Sequence, residues 1–302
     1  MKGRRYRVEH QTRYVHAGRT LTSQHVACLT PRTLPRQRLC SHELEIEPQP
    51  SYATERIDFF GNAVSEFTML TRYAELEVMS RSVVEVFPAK SQVDPYSTPA
   101  WEDVRDELVY RRGARYDPAA QFSYPSPYVL LAPEVEIFMR DVFTPRMPIL
   151  AGALALMHRI HHEFRFDPGA TSITTPVTRV LAERRGVCQD FAHLQIACLR
   201  SLGLPARYVS GYLLTDPPPG QPRLVGADAS HAWVSVRCAR DVWVDLDPTN
   251  DVVPDARHIT MAWGRDYGDV SPLRGVVLGG AEHVLHVGVS VMPLADEPGR
   301  SP

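Results

Sequence analysis

The 302-residue chain has little cysteine: Cys28, Cys40, Cys188, Cys198 and Cys238. The number is odd, and no two stand in Cys-x-x-Cys spacing. That argues against a disulfide scaffold and a zinc–thiolate site and fits a reducing compartment. Strong net charge is also missing. A formal value of -2 carries no electrostatic footprint of a nucleic-acid or anionic-membrane partner. No apolar run approaches the length of a membrane-spanning helix. The basic start "MKGRRYRVEHQTRYVH" has no apolar segment behind it, so it does not read as a signal peptide, and the expected location is the cytoplasm. There is no internal repeat, no low-complexity tract and no acidic cluster of the kind that binds calcium. The expectation is an activity without metal or cofactor.

What is present is an ordinary globular composition, 44% hydrophobic and 23% charged, at a length that suits two domains. Residues 1–88 read as strands. Tyr6, Val8, His10, Thr12 and Tyr14 share one parity. "CSHELEIEP" alternates Leu44 and Ile46 with glutamates, and a Gly61-Asn62 turn separates two apolar flanks. Period-two patterning with turn punctuation predicts an antiparallel β-domain. Its histidines are scattered and suggest no site. Proline-rich residues 89–100 read as a linker opening a second unit, 89–294. The tail, 295–302, is expected to be disordered.

The second unit is helical first and β-rich afterwards. Ile149, Leu150, Ala153, Leu154, Met157, Ile160 and Phe164 recur at helical spacing. "ERRGVCQDFAHLQIACLRSLG" follows, with Phe191, Leu194, Cys198 and Leu202 on an apolar stripe and Gly203 as the stop. Cys188 falls at the start of that helix. There the macrodipole and the free N–H groups favour an anion and a thiolate. Cys198 lies in phase with the stripe and reads as core packing. Asp190 suits the first helical turn, and His193 reads as structural.

A nucleophile needs a base and a group that orients the base. "SHAWVSVRC" and "VWVDLDP" read as a β-hairpin, with His231 at the start of one strand and Asp247 at the end of the other. One register puts them side by side on one face, about 5 Å apart. Asp245 has the same parity and is the second choice. "PARYVSGYLL" reads as a buried strand, and "EHVLHVGVSVMPL" as a last one with Leu285, Val287, Val289 and Val291 on one face.

"GVCQDFAHL", "RYVSGYL", "SHAWVSV" and "DLDPTN", in that order, resemble the transglutaminase-like superfamily in its bacterial, protease-like branch. The first eighty residues resemble the β-domain that accompanies that branch, and "GRDYGDVSPLRGVVLGG" resembles its late signature. The resemblance covers nearly the whole chain. It implies an α+β fold with a papain-like core, a helix bearing cysteine packed on an antiparallel sheet. It also implies a Cys-His-Asp triad: Cys188 as nucleophile, His231 as base and Asp247 as orienting carboxylate. The backbone N–H of Cys188 would serve the oxyanion. Gln189, Trp233 and Tyr267 are the side-chain candidates at the oxyanion site or cleft. His161 and His162 are more remote, Arg265 and Asp266 are expected in a loop near the cleft, and Pro217 to Gly220 at its rim.

The function this implies is a thiol-dependent hydrolase of peptide or isopeptide bonds, with a peptide or protein amide as partner. Protein-glutamine acyl transfer uses the same residues, since only the acceptor differs. A non-catalytic peptide-binding scaffold is the alternative from another class. A metal hydrolase would have to use His158 and His162, at i and i+4, but "HRIHHEF" lacks the His-Glu-x-x-His order. Sequence leaves the oligomeric state open.

Overall fold

The computed structural model describes residues 3–88, 93–113, 115–215, 230–280 and 282–295. Six antiparallel strands come first: β1 (Arg4–His16), β2 (Thr20–Ala27), β3 (Gln37–Glu47), β4 (Tyr52–Ile57), β5 (Ala63–Met69) and β6 (Glu75–Val86). Alternation decides which face each one buries. In β6, Leu76, Val78, Ser80, Ser82, Val84 and Val86 all point inward. Leu29, Phe67, Met69, Tyr73, Leu76 and Val78 pack between two sheets. Gly61 makes the expected turn with a positive φ of 78°.

A helical layer follows: α1 (Trp101–Asp106), α2 (Pro133–Met139), α3 (Ile149–Glu163), the short strand β7 (Arg165–Phe166), α4 (Val177–Glu183), β8 (Arg185–Gly186) and α5 (Cys188–Ser201). Next come β9 (Ala206–Leu213), β10 (Ser230–Ala239), β11 (Val242–Leu246) and β12 (His258–Gly264), which form one antiparallel sheet in the order β11-β10-β9-β12. The chain then passes through α6 (Tyr267–Val270) to β13 (Leu273–Gly279) and β14 (His283–Pro293).

The sequence division at residue 88 needs one correction. β13 pairs with β2 and β14 pairs with β1, so the last two strands complete the N-terminal sheets, in the orders β14-β1-β6-β3 and β13-β2-β5-β4. The alternation in β14 also holds only in part. Val289 and Val291 are buried, whereas Leu285 and Val287 stay about half exposed on an edge strand. Of the expected linker, residues 89–92 lie outside the described residues, as do 296–302 of the tail.

α5 is buried on almost every side, between α2, α3 and α4 and the sheet of β9 and β10. Phe191, Leu194, Ala197 and Cys198 share a core with Val234 and Val236 of β10. At its far end Arg200 is buried, and donates to the carbonyls of Phe122, Ala206 and Arg265 and to Ser126 Oγ. The N-terminal pair of sheets and the β11-β10-β9-β12 sheet meet along β12. There Gln37 Nε2 donates to the Thr260 carbonyl and its Oε1 accepts the Thr260 N–H, 2.7 and 2.8 Å. Asn62 makes the same two-way pairing with Trp263, 2.9 and 3.0 Å. Two side-chain amides thus satisfy the edge of β12 at its bulge. Among the described residues no helix is long and apolar enough to cross a membrane.

Candidate active site

α5 begins at Cys188, directly after β8. Its start is fixed by Asp190, whose Oδ2 turns back to accept the Val187 N–H at 2.8 Å and the Thr171 hydroxyl at 2.6 Å. Asp190 is therefore a structural cap as well as a helpful charge, and burial raises its pKa. Gly186 makes room for it. A Cβ there would stand 2.7 Å from Asp190 Oδ2. The capped turn leaves the Cys188 side chain half-buried. Cys198, three turns on, is 0% exposed, and burial pushes its thiol up strongly. Cys28 and Cys238 are buried too, with pKa values pushed up to about 11 and about 12 by desolvation.

His231 and Asp247 meet because of a bulge. Next to the turn, Ala239 pairs with Val242. Continued unbroken, that register would set Asp247 across from Val234, on the wrong face for His231. The shift between Arg237 and Ala239 instead pairs Val234 with Leu246 and Ser235 with Asp245. Asp247 then follows on the face of His231 and Trp233, one pair deeper than the side-by-side position expected from the sequence. His231 reaches it diagonally, Nε2 to Oδ2 at 2.7 Å. Cys188, at the start of α5, also bears on this imidazole and, like Asp247, favours its protonated form.

Asp247 is 0% exposed, and both its oxygens are engaged. Oδ1 accepts the backbone N–H groups of Thr249 and Asn250, at 3.0 and 3.2 Å. Oδ2 accepts from His231, from Asn250 Nδ2 at 2.7 Å and from His258 Nε2 at 3.2 Å. Burial alone would raise its pKa. The hydrogen bonds from His231, His258 and Asn250, with the charge of His231, outweigh that and hold the carboxyl well below the usual range. For His231 burial disfavours the proton, but the hydrogen bonds and charges of Asp247 and Cys188 prevail and lift its pKa to about 10. The arrangement favours the imidazolium form of His231.

Comparison with known proteins agrees with this architecture. Residues 6–85 match the bacterial transglutaminase-like N-terminal region, and residues 138–248 match the transglutaminase-like superfamily. An uncharacterized protein of Mycobacterium tuberculosis is 40% identical over 297 residues, spanning 96% of this chain and 93% of that protein. The chain belongs to the bacterial transglutaminase-like family. At that level it is an enzyme. A protein-glutamine gamma-glutamyltransferase of Pseudomonas aeruginosa is 33% identical over 105 residues, 33% of this chain and 16% of that protein. The solved structure of a proposed cysteine protease from Cytophaga hutchinsonii shares the fold. It has a TM-score of 0.72 at 18% identity and covers 98% of this chain and 93% of that one.

The remaining sequence candidates of this family member fall differently. Trp233 is no oxyanion donor, because its Nε1–H is engaged by Asp245 Oδ2 at 3.2 Å. Its ring lies over Gly211, where a Cβ would stand 2.3 Å from the indole, and packs against His231 and His258. That pairing also occupies Asp245, the second-choice partner of His231. Gln189 turns its amide to the Ile173 carbonyl at 3.1 Å, holding the loop before α4. Tyr267 gives its backbone N–H to His193 Nε2 at 3.2 Å, and its ring lies beside Tyr208. His193 is structural, as expected: it is buried between Tyr128 and Tyr208, and desolvation lowers its pKa to about 3. Asp266 caps α6, and Arg265 pairs with Asp269. On α3, His161 Nδ1 donates to the Thr249 carbonyl at 3.0 Å and His158 pairs with Asp251, so both brace the loop after Asp247. Pro217 to Gly220 lie outside the described residues.

Sequence reading missed Asn250 and His258. Among the described residues, His231, Asp247 and His258 form the one group of three metal-type donors, with ligand atoms within 4.8 Å of one another. The hydrogen bonds to Asp247 Oδ2 already engage a nitrogen of each imidazole. A signal for His258 was available, since it opens "HITMAWG" as His231 opens "HAWVSV".

Proposed function

We propose that the protein is a thiol-dependent amide hydrolase acting on peptide or isopeptide bonds through Cys188, His231 and Asp247. The observation that carries this is His231, hydrogen-bonded to a buried carboxylate and acted on electrostatically by the helix-start cysteine. The Cys188 thiolate attacks the amide carbonyl carbon, forming a C–S bond while the π electrons move to oxygen. Backbone N–H groups at the start of α5 suit that oxyanion. As the tetrahedral adduct collapses, the C–N bond breaks and His231 gives its Nδ1 proton to the leaving amine. Water then attacks the acyl-thioester, His231 accepts its proton, and the C–S bond breaks to restore the thiolate. Asp247 keeps the imidazole in the tautomer and orientation both steps need.

The half-buried setting of Cys188 lets water reach the acyl-enzyme, which favours hydrolysis. Similarity to the Pseudomonas gamma-glutamyltransferase supports acyl transfer as the second reading. A peptide-amide library incubated with and without a labelled primary amine separates the two. Release of free acid by the wild type, lost in Cys188→Ala and retained in Cys198→Ala, is expected. Amine incorporation outpacing release would favour transfer. Equal activity in wild type and Cys188→Ala would overturn both.

A further inference from the structure

The proposed cycle asks two opposed things of His231. It must hold its proton while the thiolate waits, then release that proton to a leaving amine. Asp247 serves the first need and works against the second, because the charge that holds the imidazolium proton also resists its release, and each further donor to that oxygen, such as Asn250 Nδ2 at 2.7 Å, eases the release.

A second imidazole meets the same oxygen. His258, the first residue of β12, is buried, and its Nε2 lies 3.2 Å from Asp247 Oδ2. Its Nδ1 accepts the Asp255 backbone N–H at 3.4 Å, which leaves the proton on Nε2 for Asp247. The buried ring stands edge-on to Trp233, with centroids 5.3 Å apart. Its strand is pinned by Gln37 at Thr260, two residues on, and by Asn62 at Trp263 toward the far end.

Resting on the thiol–imidazole reading of the site, we infer that His258 is a positioning residue: its Nε2–H fixes the Asp247 oxygen that His231 uses and draws off part of that oxygen's charge, so that His231 yields its proton more readily. A donor shared with a carboxylate weakens the carboxylate's hold on its other partner. The titratable and charged groups facing this arrangement come from every element around it. They are Cys188 of α5, His231 of β10, Asp247 and Asp245 of the β11 strand and its end, and Asp255 before β12, 3.6 Å from His258 Nδ1. Arg257 turns its guanidinium away, to the Leu214 carbonyl at 2.9 Å.

The test needs no substrate. Iodoacetamide alkylation of Cys188 is followed by peptide mass spectrometry in the full chain, from about pH 5 to about pH 11. In wild type the rate changes where the imidazolium loses its proton. His258→Phe removes the donor and keeps a ring against Trp233. It is expected to move that step up by about 0.5 to 1 pH unit, the scale of one hydrogen bond to a charged group. His258→Gln, whose amide nitrogen falls near Nε2, is expected to restore the wild-type profile. Should His258→Phe fail to fold, His258→Asn, whose amide stops short of Asp247, takes its place with the same expected shift. A folded variant lacking the donor but with an unchanged profile overturns the role of His258 alone. A wild-type Cys188 no more reactive than exposed Cys40 overturns the site reading and this inference with it.

Discussion

The two ends of α5 carry the same residue type in opposite circumstances. At the N-terminus Cys188 is half-buried, stands two residues after a glycine that makes room for the Asp190 cap, and acts on the imidazole of His231. Ten residues on, Cys198 is sealed among Leu, Ala and Val side chains, and its thiol is driven strongly toward the neutral form. The difference is not in the side chain. It lies in three local facts: free N–H groups at one end, a polar partner supplied by a bulged hairpin, and water access. A cysteine becomes a chemical group where the backbone leaves donors unsatisfied, and filler where it does not.

That contrast can be broken from the Cys188 end first. Asp247→Asn retains shape but removes the charge that holds His231 protonated. It should lower turnover of an amide substrate by about 10²–10⁴-fold, measured as kcat at saturating substrate. Cys198→Ser puts a hydroxyl into the sealed core. It should cost about 1–3 kcal/mol in denaturant unfolding with little change in kcat, the reverse of the Asp247 result.

A gentler lever is pH. Folded His231 keeps its proton to about 10 against an ordinary 6.5, so its pairing stabilises the fold fully below about pH 6.5. That contribution is lost as pH rises toward about 10. Asp247 works in the opposite sense: its contribution is present above its ordinary 3.8 and is lost as pH falls. The urea midpoint should therefore decline from about pH 6.5 to about pH 10, and more shallowly in His231→Phe. An equal decline in both proteins would assign the effect to other groups.

Much of this was legible before any coordinates. Strand parity located β1 and β3, and helical phase separated Cys188 from Cys198. The residue types at the two ends of a hairpin named His231 and Asp247. What stayed hidden has physical causes. β13 and β14 pair with strands about 250 to about 290 residues earlier, and no local pattern records a pairing across such a distance. The bulge near Cys238 decides which face Asp247 occupies, and a one-residue shift leaves little trace in apolar sequence. β12 went unread because it is buried almost throughout, and with it His258. The partners of the cleft candidates Gln189 and Trp233, a carbonyl and a carboxylate that accept their side-chain N–H groups, also leave no local trace in the sequence.

The most direct test of the central claim is competitive alkylation of the native chain at neutral pH with limiting iodoacetamide, read at all five cysteines by peptide mass spectrometry. The account predicts that Cys188 is modified first and well ahead of exposed Cys40, that Cys198 stays unmodified until the protein unfolds, and that Asp247→Asn slows Cys188 alone. Labelling of Cys188 no faster than Cys40, or unchanged by Asp247→Asn, would contradict it.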